Sequence, residues 1–244
     1  MTEQTPPPAG SRWRSLAICV LMFAAYYAIV SRIAAYGGPL IKDIAPPAGA
    51  PELWWRVDVN LALVGFGDLC AGVVPVFIFC KIARRNFVDL GFNRPGAAIA
   101  WLLAFAIQAL LIWLDMRMGA LGHAPGATGV YALAASAIVG LSAAFAEETL
   151  FRGFVMDELR RGGWGVAWQI GVSMFLFGAA HMSWASGPYG WTIPVFTGIV
   201  GGFWSLIYVL GKRSLWPPIV AHVINDGMLI PSVFYLMAAR AMHG

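Results

Sequence analysis

The chain has 244 residues, of which 59% are hydrophobic and only 11% charged, with a net charge of +4 and a mean hydropathy of +0.72. A soluble domain of this length carries about 25% charged residues to cover its surface, so these residues cannot supply a water-facing shell. Disorder is excluded by the hydrophobicity, and a disulfide scaffold by the three scattered cysteines, Cys19, Cys70 and Cys80. The composition predicts an all-α, polytopic transmembrane helix bundle. A span takes about 20 apolar residues, which leaves room for about seven, within a range of six to eight. Long apolar runs, rather than short alternating segments, argue against a β-barrel. The basic excess reads as membrane topology and not as nucleic-acid binding.

Residues 1–14, rich in proline and polar side chains, are expected to form a mobile tail. Residues 15–130 would hold the N-terminal transmembrane helices and residues 131–244 the functional core. Spans are predicted over about 16–36, 57–80, 97–118, 133–159, 165–186, 190–210 and 215–238, with loops over 37–51 and 119–128. The first run is too long for a signal-peptide core and reads as a retained helix. Pro217, Pro218 and Pro231 are expected to break the last span.

Basic residues set the orientation. With the N-terminus in the cytoplasm, Arg12, Arg14, Lys81, Arg84, Arg85, Arg94, Arg152, Arg160, Arg161, Lys212 and Arg213 fall on or near the cytoplasmic side. Only Arg32, Lys42, Arg56, Arg117 and Arg240 fall on or toward the other.

Ionisable residues at membrane depth are costly and mark function. Three groups stand out. In Glu147-Glu148-x3-Arg152, Glu148 and Arg152 are four apart and share a helix face, leaving Glu147 unpaired. In Phe177-x3-His181 the phenyl ring lies one turn from the imidazole. In His222-x2-Asn225-Asp226, His222 and Asp226 share a face. Each group alone also admits a structural reading: an ion pair at the membrane boundary for the first, a hydrogen-bonded core histidine for the second and an orienting His–Asp pair for the third. Helical rise places Glu147 about 20 Å from the turn near Arg160, His181 about 24 Å from Gly165, and His222 and Asp226 about 14 and 20 Å beyond Arg213. Three helices thus bring carboxylates and imidazoles to a similar level, which independent structural pairs would not do.

These motifs, in this order on successive hydrophobic helices over about 133–230, resemble the CAAX prenyl endopeptidase and bacteriocin-processing (CPBP, or ABI) intramembrane proteases. The resemblance implies a glutamate-type hydrolase acting on a membrane peptide or lipidated membrane protein. Glu147 and His181 would activate water, His222 with Asp226 would hold the oxyanion, and Glu148 with Arg152 would fix the helix and tune Glu147. Asn225 stands beside the Asp226 slot and could share its role. The resemblance implies no cofactor. Zinc, if used, would draw on Glu147, Glu148, His181 and His222, although no His-Glu-x2-His is present.

Other readings stay open: a non-catalytic binding, immunity or scaffold protein of the same fold, or a small proton-coupled transporter. Ser142, in Gly140-Leu-Ser142-Ala-Ala144, is read as helix packing rather than as a rhomboid-like nucleophile. Asp68 and Asp115 are expected to pair with Arg32 or Arg117, or to line a polar cavity. Trp13, Trp54, Trp55, Trp164, Trp191 and Trp216 are expected in interfacial belts. The compact length points to a prokaryotic inner membrane. Oligomeric state is not legible.

Overall fold

The computed structural model describes residues 10–44, 55–118, 130–184 and 190–226. Among these residues every regular element is helical, without a strand. In chain order they form α1 (Ser11–Ile44), α2 (Trp55–Ile82), α3 (Ala98–Met118), α4 (Val130–Glu147), α5 (Met156–Arg161), α6 (Val166–Ala180) and α7 (Thr192–Leu210). A final helix, α8, covers 216–226. Between α4 and α5 the backbone does not break but widens into a π-helix over Glu148–Val155, so α4, the π-segment and α5 form one rod. Ser11–Ile33, Ala62–Ile82 and Thr192–Leu210 are long and apolar enough to cross a bilayer, and Ala98–Leu114 and Val166–Ala180 are shorter apolar helices. The protein is a helical membrane bundle.

Within the described residues each expected span falls on one rod, with four corrections. Ser11–Arg14 open α1 instead of ending a mobile tail, because the Arg14 amide bonds Gly10 O at 3.2 Å and Ser11 Oγ donates to Gly162 O at 3.3 Å. The expected loop at 37–51 is helical as far as Ile44; in apolar surroundings an unpaired backbone group costs more than the weak helix propensity of Gly and Pro. The span over 133–159 is not one regular α-helix, since it contains the π-segment. Pro217 and Pro218 start α8 rather than break it: they occupy its first turn, where an N–H has no helical acceptor to lose. Ser214 Oγ accepts the Trp216 amide at 3.3 Å just ahead of them. Residues 227–238, including Pro231, and most of the loop at 119–128 lie outside the described residues.

The rod is the axis of the bundle, and every residue from Glu148 to Leu159 is buried. Helix crossings use small residues, which let backbones approach where no hydrophobic effect drives helices together. A Cβ on Gly72 of α2 would stand 2.7 Å from Ala146 Cα and O, and one on Gly178 of α6 would stand 2.5 Å from Pro194 O of α7. Ser142 belongs to the α2–α4 crossing, against Gly65. Leu21, Leu63, Phe66, Leu102, Phe105, Phe175 and Phe196 point outward and are exposed. Surface this apolar is a liability in water and a match for lipid chains.

One end of the bundle gathers the connecting segments and most of the cations. Trp164 Nε1 donates to Arg12 O at 3.1 Å, Arg85 pairs with Glu158, and Arg160 and Arg161 pair with Asp157 at 2.5 and 2.6 Å. Ser214 Oγ donates to Arg94 O at 2.6 Å, and the Leu215 amide bonds Gly91 O at 3.2 Å. Gly91 has φ of 130°, and a Cβ there would lie 2.5 Å from Arg213 O, so this strap requires glycine. Arg152 departs from its expected place at this end. It is fully buried and belongs to the polar cluster described next.

Candidate active site

The polar cluster is built around the start of the π-segment. Glu148 and Arg152 share a face as their spacing requires, with Arg152 Nη1 donating to Glu148 Oε1 at 2.8 Å and both side chains at 0% exposure. Arg152 Nη2 donates to Gly201 O of α7 at 2.8 Å, and its guanidinium lies 4.4 Å over the Phe177 ring. A buried cation is tolerated when its donors and faces find partners; here a carboxylate takes Nη1, a carbonyl takes Nη2 and a π-face covers the plane, while Nε is buried without a partner.

α8 brings the third motif against this pair. His222 Nδ1 lies 2.9 Å from the same Glu148 Oε1, and Nε2 lies 3.2 Å from Asp226 Oδ2 and 3.7 Å from Glu147 Oε2. With an acidic oxygen at each nitrogen, the arrangement suits an imidazolium, or a neutral ring beside a carboxyl that holds the proton. Trp204 stacks on the ring at 4.0 Å between centroids. Asp226 takes the slot facing His222, and Asn225 Nδ2 donates to Asp226 Oδ1 at 3.1 Å from behind.

His181 is placed differently from the helix interior expected for it. α6 ends at Ala180, and His181 is its C-cap, opening a 3-10 turn over His181–Trp184. Phe177 keeps its predicted relation to the imidazole at 5.0 Å and also contacts the His222 ring at 6.0 Å. His181 Nδ1 bonds Phe177 O at 2.9 Å. A carbonyl only accepts, so Nδ1 carries the hydrogen, and in the neutral ring the Nε2 lone pair is left as the basic site. Among the described residues, no hydrogen bond joins His181 directly to Glu147.

Glu147 receives help from the N-terminal helices, which sequence reasoning left out. Tyr26 of α1, 2% exposed, sets its hydroxyl 3.0 Å from Asp68 Oδ1 of α2 and 3.3 Å from Glu147 Oε1. Asp68 therefore has Tyr26 as its partner, and not Arg32 or Arg117. Asp115 is among the side chains not described. Asp68 was recognisable as an acid at membrane depth, whereas Tyr26 carried no signal beyond a hydroxyl in an apolar run. Glu147 Oε2, by contrast, is buried without a hydrogen-bond partner.

Of the side chains named for a metal, Glu147 and Glu148 lie within ion-pair distance of His222, while His181 contacts Phe177. Among the described residues, no three His, Cys, Asp or Glu side chains group as metal ligands. Both His222 nitrogens are engaged by carboxylates, and a ligating imidazole would have to release one of them.

Residues 129–228 match the family model described as Rce1-like, Type II CAAX prenyl endopeptidase Rce1-like. No curated protein and no solved structure matches the chain. The matched segment begins at the head of the central rod and ends just past Asp226, and so contains all three motifs of the polar cluster. Over residues 129–228 this membrane protein is thus similar to the Rce1-like, CAAX-protease family of peptidases.

Proposed function

We propose that the protein is an intramembrane endopeptidase that hydrolyses a peptide bond in a membrane-associated peptide or lipidated protein, without a metal. Glu147 and His181 deprotonate the attacking water, and its oxygen bonds to the scissile carbonyl carbon. His222 turns its Nε2–H from Asp226, 3.2 Å away, to the oxyanion that forms while Glu148 keeps Nδ1, and the proton taken from the water then passes to the leaving amine. Glu148 and Arg152 hold the rod and His222 in register. The observation that carries this reading is the Glu147 carboxylate: one oxygen is anchored by Tyr26, and the other is buried without a hydrogen bond, 3.7 Å from His222 Nε2. That free oxygen is where a general base must accept a proton.

The basic end is proposed to face the cytoplasm of a prokaryotic cell, with the substrate entering from that side or laterally from lipid. The test is cleavage of a quenched-fluorescent membrane-peptide library by purified protein, wild type against Glu147→Gln, with and without a chelator. Cutting that persists in chelator and falls by roughly 10²- to 10⁴-fold in the variant is expected. Full activity in a folded Glu147→Gln protein, or activity lost to chelation and restored by zinc, would overturn the mechanism.

A further inference from the structure

The Tyr26 hydroxyl has one hydrogen and two acidic neighbours, Asp68 Oδ1 at 3.0 Å and Glu147 Oε1 at 3.3 Å. It can donate fully to only one of them, so a second hydrogen must come from a carboxyl group if both contacts are bonds. The surrounding charges decide which carboxyl holds it. Around Glu147 stand Glu148 and Arg152 of its own rod, His222 and Asp226 of α8, and Asp68 and Tyr26 of α2 and α1, with His181, the C-cap of α6, against Phe177. His222 Nε2 is 3.7 Å from Glu147 Oε2, whereas Asp68 has no basic group within ion-pair distance among the described residues. The negative charge therefore belongs on Glu147 and the hydrogen on Asp68.

We infer that Asp68 and Tyr26 form a directional hydrogen-bond arm, Asp68 carboxyl to Tyr26 oxygen and Tyr26 hydroxyl to Glu147 Oε1, which positions Glu147 and keeps it ionised as a base. The inference rests on the proposed role of Glu147. The arm consumes no proton in the reaction: the water's O–H bond breaks toward Glu147 Oε2, and the arm holds the other carboxylate oxygen. It makes α1 and α2 part of the site and gives Tyr26 and Asp68 positioning roles.

The experiment uses the full chain in lipid nanodiscs. Infrared difference spectroscopy at neutral pH should find a protonated-carboxyl stretch that disappears in Asp68→Asn and shifts in Tyr26→Phe. A band unchanged by Asp68→Asn would overturn the arm, whether or not any substrate is known. In the cleavage assay Tyr26→Phe and Asp68→Leu should lower kcat roughly 10- to 100-fold with KM within about threefold. Asp68→Asn, which keeps an N–H donor toward Tyr26, should recover part of that loss. At high pH, Asp68 loses its hydrogen and draws the Tyr26 hydroxyl away from Glu147. Asn cannot titrate, so Asp68→Asn should extend activity to higher pH, which a purely structural contact would not do. Tyr26→Phe with wild-type kcat and pH profile would refute the inference. Absence of cleavage by wild type, with the Asp68 band present, would count against the proposed function and leave the arm standing.

Discussion

Arg152 makes its two bonds to groups on two different elements, the Glu148 carboxylate and the Gly201 carbonyl. Truncating one partner of a buried pair leaves the other charge uncompensated, at a cost of about 3–5 kcal/mol. Arg152→Met should therefore lower the unfolding temperature markedly in a detergent melt. Arg152→Lys should recover little, because an ammonium cannot present the planar fork that spans both acceptors. The Glu148–Arg152 and His222–Asp226 pairs were legible in the sequence because spacing by four puts two side chains on one helix face without knowledge of any neighbour. Tyr26 was not: its value lies in the register of α1 against the rod, and no spacing within α1 encodes that. His181 lay between these cases, since its ring contact followed from spacing but its place at a helix end depended on where α6 stopped.

Among the elements, the π-segment had no signature in Glu148–Val155 that hydropathy could reveal, since residue composition does not report which way a continuous helical backbone winds. It is recognised only by bonding, as in the Met156 amide reaching Phe151 O. π-turns cluster at functional sites because they re-aim side chains within a continuous helix. The α2–α4 crossing sets how deeply Asp68 reaches toward Glu147, and it relies on Gly72, one turn beyond Asp68. Gly72→Ala should both destabilise the fold, by about 1–3 kcal/mol from overpacking, and reduce activity by withdrawing Asp68. Gly171→Ala is the matched control. A Cβ there meets nothing within 4 Å, and the change should be neutral or stabilise α6 by up to about 1 kcal/mol. Thermal melts and cleavage rates on the two variants separate crowding from the general effect of replacing glycine.

For the whole molecule, the helical membrane bundle was legible because hydropathy counts length, and length is what a bilayer selects; among the described residues three helices are long and apolar enough to cross. Orientation follows from charge alone and is open to direct measurement. On a background without Cys19, Cys70 and Cys80, a single cysteine at Arg84 or Lys212 should react with a membrane-impermeant maleimide only in inverted vesicles. One at Trp191 should react only in right-side-out vesicles, and the reverse pattern would invert the topology. Arg152 also has a consequence for the order of assembly. Its rod is synthesised before α7, so while the chain emerges the Gly201 carbonyl does not yet exist for it to bond. A central arginine carries an insertion penalty of about 2.5–3.5 kcal/mol, which Glu148 can offset only in part. The axis of the bundle is thus committed to the membrane before it is fully neutralised, and a nascent chain stalled short of α7 would keep its central helix within reach of the translocon until the missing helix arrives.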